Sequence, residues 1–212
     1  MDSQPVFDNS VFDHEGPWSE EAYLALKHDG RVEVVDGTLL IGPNARPRRS
    51  RTIERVRETV AAALPDGLVV RGPLPLRLGI DCVLVPDLIV TAAPADDSAE
   101  EGAEEPAEDA EPSIVDAAAA LMVIEVVGSD HGATDRSFKP QLYARSRIPY
   151  SLLIDHDGPF AVAEMIIGGR YHEYAHGGER LQIEEPFALD LDLAAIAADE
   201  EPPAETPAEA GA

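Results

Sequence analysis

The sequence predicts one α/β domain, in which a mixed β-sheet is flanked by helices and preceded by an N-terminal β-hairpin. Residues 121–128 and 150–155 are apolar runs of strand length with a helical segment between them, the pattern of a strand–helix–strand unit. Asp36-Gly37 separates two short runs rich in valine, leucine and isoleucine, which is a strong hairpin signal. A chain of 212 residues is long enough for one domain with its own core.

The predicted elements follow from apolar spacing, capping residues and breakers. The helix near residues 50–64 carries Ile53, Val56, Val60 and Leu64 at helical spacing, so this face should be buried. Pro140 has to lie in the first turn of its helix, which makes Ser137 the expected N-cap. The full prediction is a helix at 18–28 capped by Ser19, a hairpin at 31–41, a helix at 50–64, strands at 68–71, 74–79, 83–91 and 120–127, a helix starting near Lys139 and ending near 146, strands at 150–155, 160–167, 170–175 and 180–183, and a helix near 192–198.

Three segments are predicted to lie outside the packed domain. Residues 1–17 are polar and irregular and should form a mobile arm. Residues 94–113 hold nine acidic side chains and no basic ones, and residues 199–212 hold five and none. Such segments cannot bury enough apolar area to offset their ordering entropy, so we expect a disordered acidic insertion and a disordered acidic tail. The domain itself should span residues 18–198.

Composition narrows the function classes. No run of about 18 apolar residues indicates a membrane span, and residues 1–14 lack the features of a signal peptide. The single cysteine, Cys82, excludes an internal disulfide, so a cytoplasmic protein is expected. A net charge of -25 opposes nucleic-acid binding by the surface as a whole.

One arginine-rich segment is an exception to this acidity. Six arginines fall between residues 46 and 57. We expect phosphate contacts from Arg46, Arg48, Arg49 and Arg51. The alternative is an exposed helix face that happens to be rich in arginine, because arginine predominates over lysine throughout this chain.

Three charged residues stand where their side chains need an explanation. Glu125 lies inside an apolar strand, Asp87 follows Pro86 at the head of another, and Lys139 begins the next helix. Two converging carboxylates would form an oxygen-rich site for Mg²⁺ or Mn²⁺, beside which an ammonium could stabilise a phosphorane. Structural alternatives exist for each residue: Asp87 as a strand-end cap, Glu125 in an ion pair with an arginine, and Lys139 solvated or paired with Asp135.

Four motifs in order resemble one family. They are Val-Glu-Val-Val-Asp-Gly-Thr-Leu from Val32, Val-Pro-Asp-Leu-Ile-Val from Val85, Met-Val-Ile-Glu-Val-Val from Met122, and Asp-x-x-x-Lys-Pro-x-Leu-Tyr-Ala-x-x-x-Ile-Pro-Tyr from Asp135. Together they resemble the Uma-two family of restriction-endonuclease-like proteins, within the PD-(D/E)xK nuclease superfamily. The resemblance covers about residues 18–196 and implies a restriction-endonuclease-like core.

The resemblance implies roles for individual residues. Asp87 and Glu125 resemble the metal-binding acids, and Glu33 the additional N-terminal acid. Lys139 resembles the catalytic lysine, moved to the helix from the strand position that Val127 occupies here. Tyr143 matches a family tyrosine and is expected to pack. The chain departs from the family at Ser50 or its neighbours, where members often have histidine, and at His131, which we expect to be a loop residue rather than a ligand.

Two functions remain open from the sequence. The first is a metal-dependent endonuclease that hydrolyses phosphodiester bonds in DNA, with Asp87, Glu125, Lys139 and Glu33 in its active site. The alternative is a catalytically silent, nuclease-derived interaction module, with a homodimer as one form. Net charge favours the module, whereas the retained Asp87, Glu125 and Lys139 favour the enzyme.

Overall fold

The structure is a computed structural model that describes residues 11, 14–28, 30–42, 46–93, 114–128 and 134–198. The predicted acidic insertion and acidic tail, most of the predicted N-terminal arm, and His131 lie outside the described residues. Among the described residues, no helix is long and apolar enough to cross a membrane.

Between residues 14 and 63, the described part of the chain includes α1 (Glu20–Leu24), a hairpin of β1 (Val32–Val35) and β2 (Thr38–Ile41), and α2 (Pro47–Ala63). Ser19 caps α1 as predicted, because its hydroxyl accepts a hydrogen bond from the Ala22 amide at 3.1 Å. The hairpin is confirmed, and Asp36 and Gly37 both have the positive φ that its turn requires. Helix α2 begins three residues before the predicted start, since Pro47 is itself suited to the first helical turn.

The next segment corrects one prediction. It contains β3 (Leu68–Arg71), β4 (Leu76–Gly79), β5 (Cys82–Leu84) and β6 (Leu88–Ala92). The single strand predicted at 83–91 is therefore two strands, which belong to two different sheets. The break falls at Val85-Pro86-Asp87, where Pro86 has no N–H to donate to a strand ladder.

The central strand–helix–strand unit is confirmed. After β7 (Val115–Asp116) and a 3₁₀ turn, it comprises β8 (Ala120–Val127), α3 (Lys139–Arg145) and β9 (Tyr150–Asp155). Ser137 is not the N-cap of α3, because a π-helical turn at Thr134–Phe138 leads directly into the helix, with Phe138 at the cap. Pro140 does lie in the first turn.

The C-terminal part consists of two hairpins and a short helix. Its elements are β10 (Phe160–Ile167), β11 (Arg170–Gly177), β12 (Arg180–Ile183), β13 (Leu189–Asp192) and α4 (Leu193–Ala197). The second strand of the last hairpin, β13, was not predicted.

The strands form three sheets. The largest has the order β11-β10-β9-β8-β6-β3 and is mixed, because β8 and β9 are parallel while its other neighbours are antiparallel. The second has the order β2-β1-β5-β4-β7, and β12 pairs with β13. The chain passes from the second sheet to the first between β5 and β6, so Asp87 stands where the two sheets meet.

The core lies on both faces of the large sheet. One cluster packs Val56 and Val60 of α2 against Val90, Met122 and Ile124 of the sheet, as the predicted face of α2 requires. A second cluster packs α3 and the second sheet against the opposite face. Burial on both faces explains why β8 reads as an almost continuous apolar run.

Candidate active site

Four side chains predicted to form the site come together from three elements and one loop. Glu33 lies on β1, Asp87 between β5 and β6, Glu125 on β8, and Lys139 at the first position of α3. All four are buried, with exposed fractions between 1% and 6%. The Lys139 Nζ lies 2.7 Å from Glu33 Oε1 and 3.7 Å from Glu125 Oε1. The structure thus gathers side chains that the sequence separates by up to about a hundred residues.

Asp87 is positioned by backbone contacts on both sides. The Val126 amide donates to its Oδ2 at 2.7 Å, which ties the carboxylate to the strand that carries Glu125. Gly72 packs directly against the Asp87 backbone, and a Cβ there would meet the Asp87 carbonyl oxygen at 2.3 Å. Gly72 also has φ of +147°, a conformation that other residues rarely adopt. The close contact between residue 72 and the Asp87 backbone therefore requires glycine at position 72.

Glu125 is held as a carboxylate in the middle of its strand. The Tyr143 hydroxyl donates to its Oε1 at 2.6 Å, so Tyr143 does more than pack. Burial by itself would raise the pKa of Glu125, but the nearby charges of Lys139 and Arg31 and the Tyr143 hydrogen bond bring that pKa below its ordinary value. Burial raises the pKa of Asp87 despite the opposing effect of Arg31 and Arg49. The two acids therefore differ in how readily they take up a proton.

Lys139 is a buried, charged group. Its Nζ lies 2.7 Å from both Glu33 Oε1 and Asp135 Oδ1, although neither contact is aligned as a hydrogen bond. Burial would lower the pKa of Lys139, but Glu125, Glu33 and Asp135 together raise it above its ordinary value. The alternative pairing with Asp135 is present, but in addition to the site contacts and not instead of them.

Two arginines complete the site, and sequence reasoning gave neither of them this role. Arg31 lies 3.1 Å from Asp87 Oδ1 through its Nη1 and 2.9 Å from Glu125 Oε2 through its Nη2. Arg49 Nη2 lies 2.6 Å from both oxygens of Asp87, and its Nε donates to the Val126 carbonyl at 2.9 Å. Each guanidinium thus bridges groups that belong to different elements.

A sequence signal existed for both arginines. Arg31 stands two residues before Glu33, and residues two apart along a strand point to the same face. Arg49 lies seven residues before Val56, so it shares the buried face of α2.

Two arginines of the predicted phosphate-contact set have partners within this chain. Arg49 is only 6% exposed and belongs to the acidic site. Arg48 donates to Asp157 Oδ1 at 2.9 Å and to the His156 carbonyl at 3.2 Å. Both side chains turn towards carboxylates or carbonyls of this chain, because those acceptors lie close once α2 packs on the sheet. Arg46 and Arg51 are exposed, and for them the contact remains a prediction.

Charge at this site is nearly balanced by protein groups. Glu33, Asp87, Glu125 and Asp135 face the cations Arg31, Arg49 and Lys139. In the described part of the chain, no group of three or more His, Cys, Asp and Glu side chains is arranged around a common point as metal ligands. The carboxylates have the right chemistry for a hard divalent cation, but guanidinium groups already engage their oxygens.

Comparisons with known proteins agree with this fold. A family model, Uma2, described as "Putative restriction endonuclease", matches residues 20–195. A solved structure described as a "putative nuclease belonging to DUF820 from Anabaena variabilis" is similar, with a TM-score of 0.65 and 17% identity over 85% of this chain and 98% of that one. No curated protein matches. The likeness to the solved structure shows the fold, and the family model, which covers most of the sequence, shows that this chain belongs to the Uma2 family of restriction-endonuclease-like proteins.

Proposed function

We propose that this protein is a divalent-cation-dependent endonuclease that hydrolyses phosphodiester bonds in DNA and acts in the cytoplasm. The observation that carries the proposal is the convergence of Glu33, Asp87, Glu125 and Lys139 from three elements and one loop. Burying so many charges is costly, and a core of apolar residues would be at least as stable. Their retention together favours a chemical role.

Asp87 and Glu125 are the residues that would hold Mg²⁺ or Mn²⁺. Such a cation, when bound, polarises a phosphodiester oxygen and lowers the pKa of a coordinated water. Arg31 spans the same two carboxylates, so its guanidinium has to withdraw before they can act as ligands. Its side chain is 15% exposed, against 4% for each acid, so Arg31 is the most solvent-accessible of these three groups.

Lys139 supplies a fixed positive charge to the reacting phosphate. Glu33 and Asp135 hold the ammonium from two sides, so little reorganisation is needed when negative charge develops. Glu33 also accepts a hydrogen bond from the Val85 amide at 2.8 Å, which fixes its position relative to the Asp87 loop. Tyr143 keeps Glu125 oriented through the hydrogen bond to Oε1. Lys139 is therefore the proposed catalytic cation, and Glu33 and Tyr143 position the groups around it.

A second function is favoured by the two arginines. Arg31 and Arg49 together engage both oxygens of Asp87 and one of Glu125, which is the arrangement of a closed ion-pair network. If the network stays closed, the protein is a catalytically silent interaction module built on a nuclease fold, with a homodimer as one form.

Metal binding and cleavage separate the two functions. Calorimetry with Mn²⁺ should show binding to the wild-type protein and its loss in Asp87→Asn and Glu125→Gln, with Glu173→Gln as a control because that exposed acid lies on β11. Plasmid and single-stranded DNA should be cleaved in Mn²⁺ by wild type and not by Glu125→Gln. Lys139→Met should lower cleavage by about a hundredfold or more while metal affinity stays equal or rises.

The silent module predicts a different pattern. Wild type would bind no Mn²⁺ and cut no DNA. Arg31→Gln, which removes the bridging guanidinium, would then create measurable metal affinity where wild type has none. Cleavage by wild type that persists in Glu125→Gln would come from a contaminant and would remove support for the enzyme.

A further inference from the structure

Three arginines differ from the other eleven of the sequence in having no partner among the residues that the structure describes. Arg145, Arg147 and Arg170 are exposed, and within the described ranges their side chains make neither an ion pair nor a hydrogen bond. The others all have partners, from the buried Arg49 to the exposed Arg180, which is bound to Asp190. In a chain with 41 acidic side chains, three such guanidinium groups need an explanation.

The three arginines surround one surface hollow. They stand where α3 and the segment after it face the β10–β11 hairpin, around two adjoining depressions of about 610 and 430 Å³ that share Ala144, Arg145 and Gly169. Arg136 lines the larger one and is itself bound to Asp155. Ser137 and Gln141 add polar groups. We name this surface the arginine groove and define it by Arg136, Arg145, Arg147 and Arg170.

Arg147 has an unusual backbone conformation for an arginine. Arg147 has φ of +62°, in the left-handed region that favours glycine. A non-glycine residue there is strained, so the fold gains nothing from having arginine at this turn. Arg145 lies in the last turn of α3, where the helix dipole alone favours a positive charge. Neither the helix dipole nor an ion pair with a described residue explains an arginine at position 147. The remaining explanation is a function of its side chain.

The groove is connected to the candidate active site through α3. Lys139 is the first residue of this helix and Arg145 the last, which places them about 9 Å apart along its axis at 1.5 Å per residue. Successive phosphates of one DNA strand advance about 3.4 Å along the duplex axis. The axial part of the distance from Lys139 to Arg145 therefore corresponds to about three nucleotides.

We propose that the arginine groove binds the phosphate backbone of nucleic acid and guides it to the acidic site. This proposal rests on the proposed nuclease function and names its substrate-contact surface. Guanidinium forks match phosphate oxygens in geometry, and they bring no sequence preference. Glu164 is the acid among the described residues that line the groove, and it lies half-buried opposite Glu173 in the hairpin.

The test measures binding apart from cleavage. A labelled DNA duplex is titrated by fluorescence anisotropy, without divalent cations, over a range of NaCl concentrations. The double variant Arg145→Gln/Arg170→Gln should bind more weakly, and the slope of log K against log salt should become shallower by about 0.9 for each phosphate that the protein no longer neutralises. Arg57→Gln/Arg180→Gln is the matched control, because it changes net charge equally at arginines already paired with Glu54 and Asp190. It should leave the slope unchanged.

Arg147→Gly separates a binding role from a structural one. Glycine adopts the left-handed conformation without strain, so the melting temperature should stay equal or rise, while DNA affinity should fall. Lower stability with unchanged affinity would show that Arg147 serves the fold, and the groove proposal would be wrong. Equal weakening in the control double variant, or competition by polyglutamate as effective as by DNA, would reveal general attraction of anions and would also overturn it.

The two proposals fail in different ways. Binding through the groove arginines by a protein that never cleaves DNA would leave the groove standing and remove the nuclease function. Cleavage that requires Glu125 but is unchanged by substitution of Arg145, Arg147 and Arg170 would support the nuclease function and overturn the groove proposal.

Discussion

The arginines of α2 and those of the groove are the same residue type in opposite situations. In α2, Arg49 is buried against Asp87, Arg48 reaches Asp157, and Arg55 reaches carbonyls at the end of α4. In the groove, Arg145, Arg147 and Arg170 are exposed and have no partner within the described part of the chain. Arginines are closer together in the sequence of α2 than around the groove. The three arginines without a partner in the described part of the chain nevertheless lie at the groove. Local density of a charged residue therefore does not show where a ligand surface lies.

The largest effect expected from this comparison is at Arg49. Arg49→Met leaves Asp87 buried with Arg31 as its remaining cation, so the free energy of unfolding should fall by about 3–5 kcal/mol. Urea unfolding followed by circular dichroism measures this change. Under the proposed function, Mn²⁺ should restore more stability to this variant than to wild type, since Asp87 is freer to bind it. A decrease below about 0.5 kcal/mol would mean that Arg49 contributes as little to stability as an exposed arginine does.

An intermediate effect is expected at Arg55. Its Nη1 donates to the carbonyls of Ala195, Ile196 and Ala198 at the C-terminal end of α4. Arg55→Met keeps much of the apolar stem but removes these charged donors, which should cost about 1–2 kcal/mol. Hydrogen exchange should show weaker protection first in α4, and a uniform decrease across the domain would contradict the docking role.

The smallest effects should come from exposed arginines, whether paired or not. Arg57→Gln breaks an exposed contact with Glu54 that solvent screens, so it should leave stability nearly unchanged. Arg145→Gln removes no pair among the described residues and should be equally neutral for stability, yet it should weaken DNA binding where Arg57→Gln does not. If both variants behave alike in binding, the distinction between the two regions disappears.

Much of the site could be predicted because its signals are local. A carboxylate inside an apolar strand and a lysine beside Pro140 at a helix start are visible within about twenty residues, and the strand–helix–strand unit containing them is confirmed. Glu33 came from the resemblance to the family, since nothing adjacent to it in sequence indicates a role. The break at Pro86 was missed because the apolar residues on both sides continue the strand pattern across it.

The sequence by itself determined the class of fold, the family, the hairpin and the buried face of α2, and it singled out four charged residues that the structure brings together. Only the tertiary structure decided which cations face them and which arginines line the groove. Arg31 meets Asp87 across 56 residues, and Arg49 meets it across 38. At the groove, the Tyr171 hydroxyl on β11 donates to the Ile148 carbonyl, which links the hairpin to the segment that follows α3. Periodicity reports the face of one element, whereas ion pairing depends on how separate elements pack together, and that information is not local.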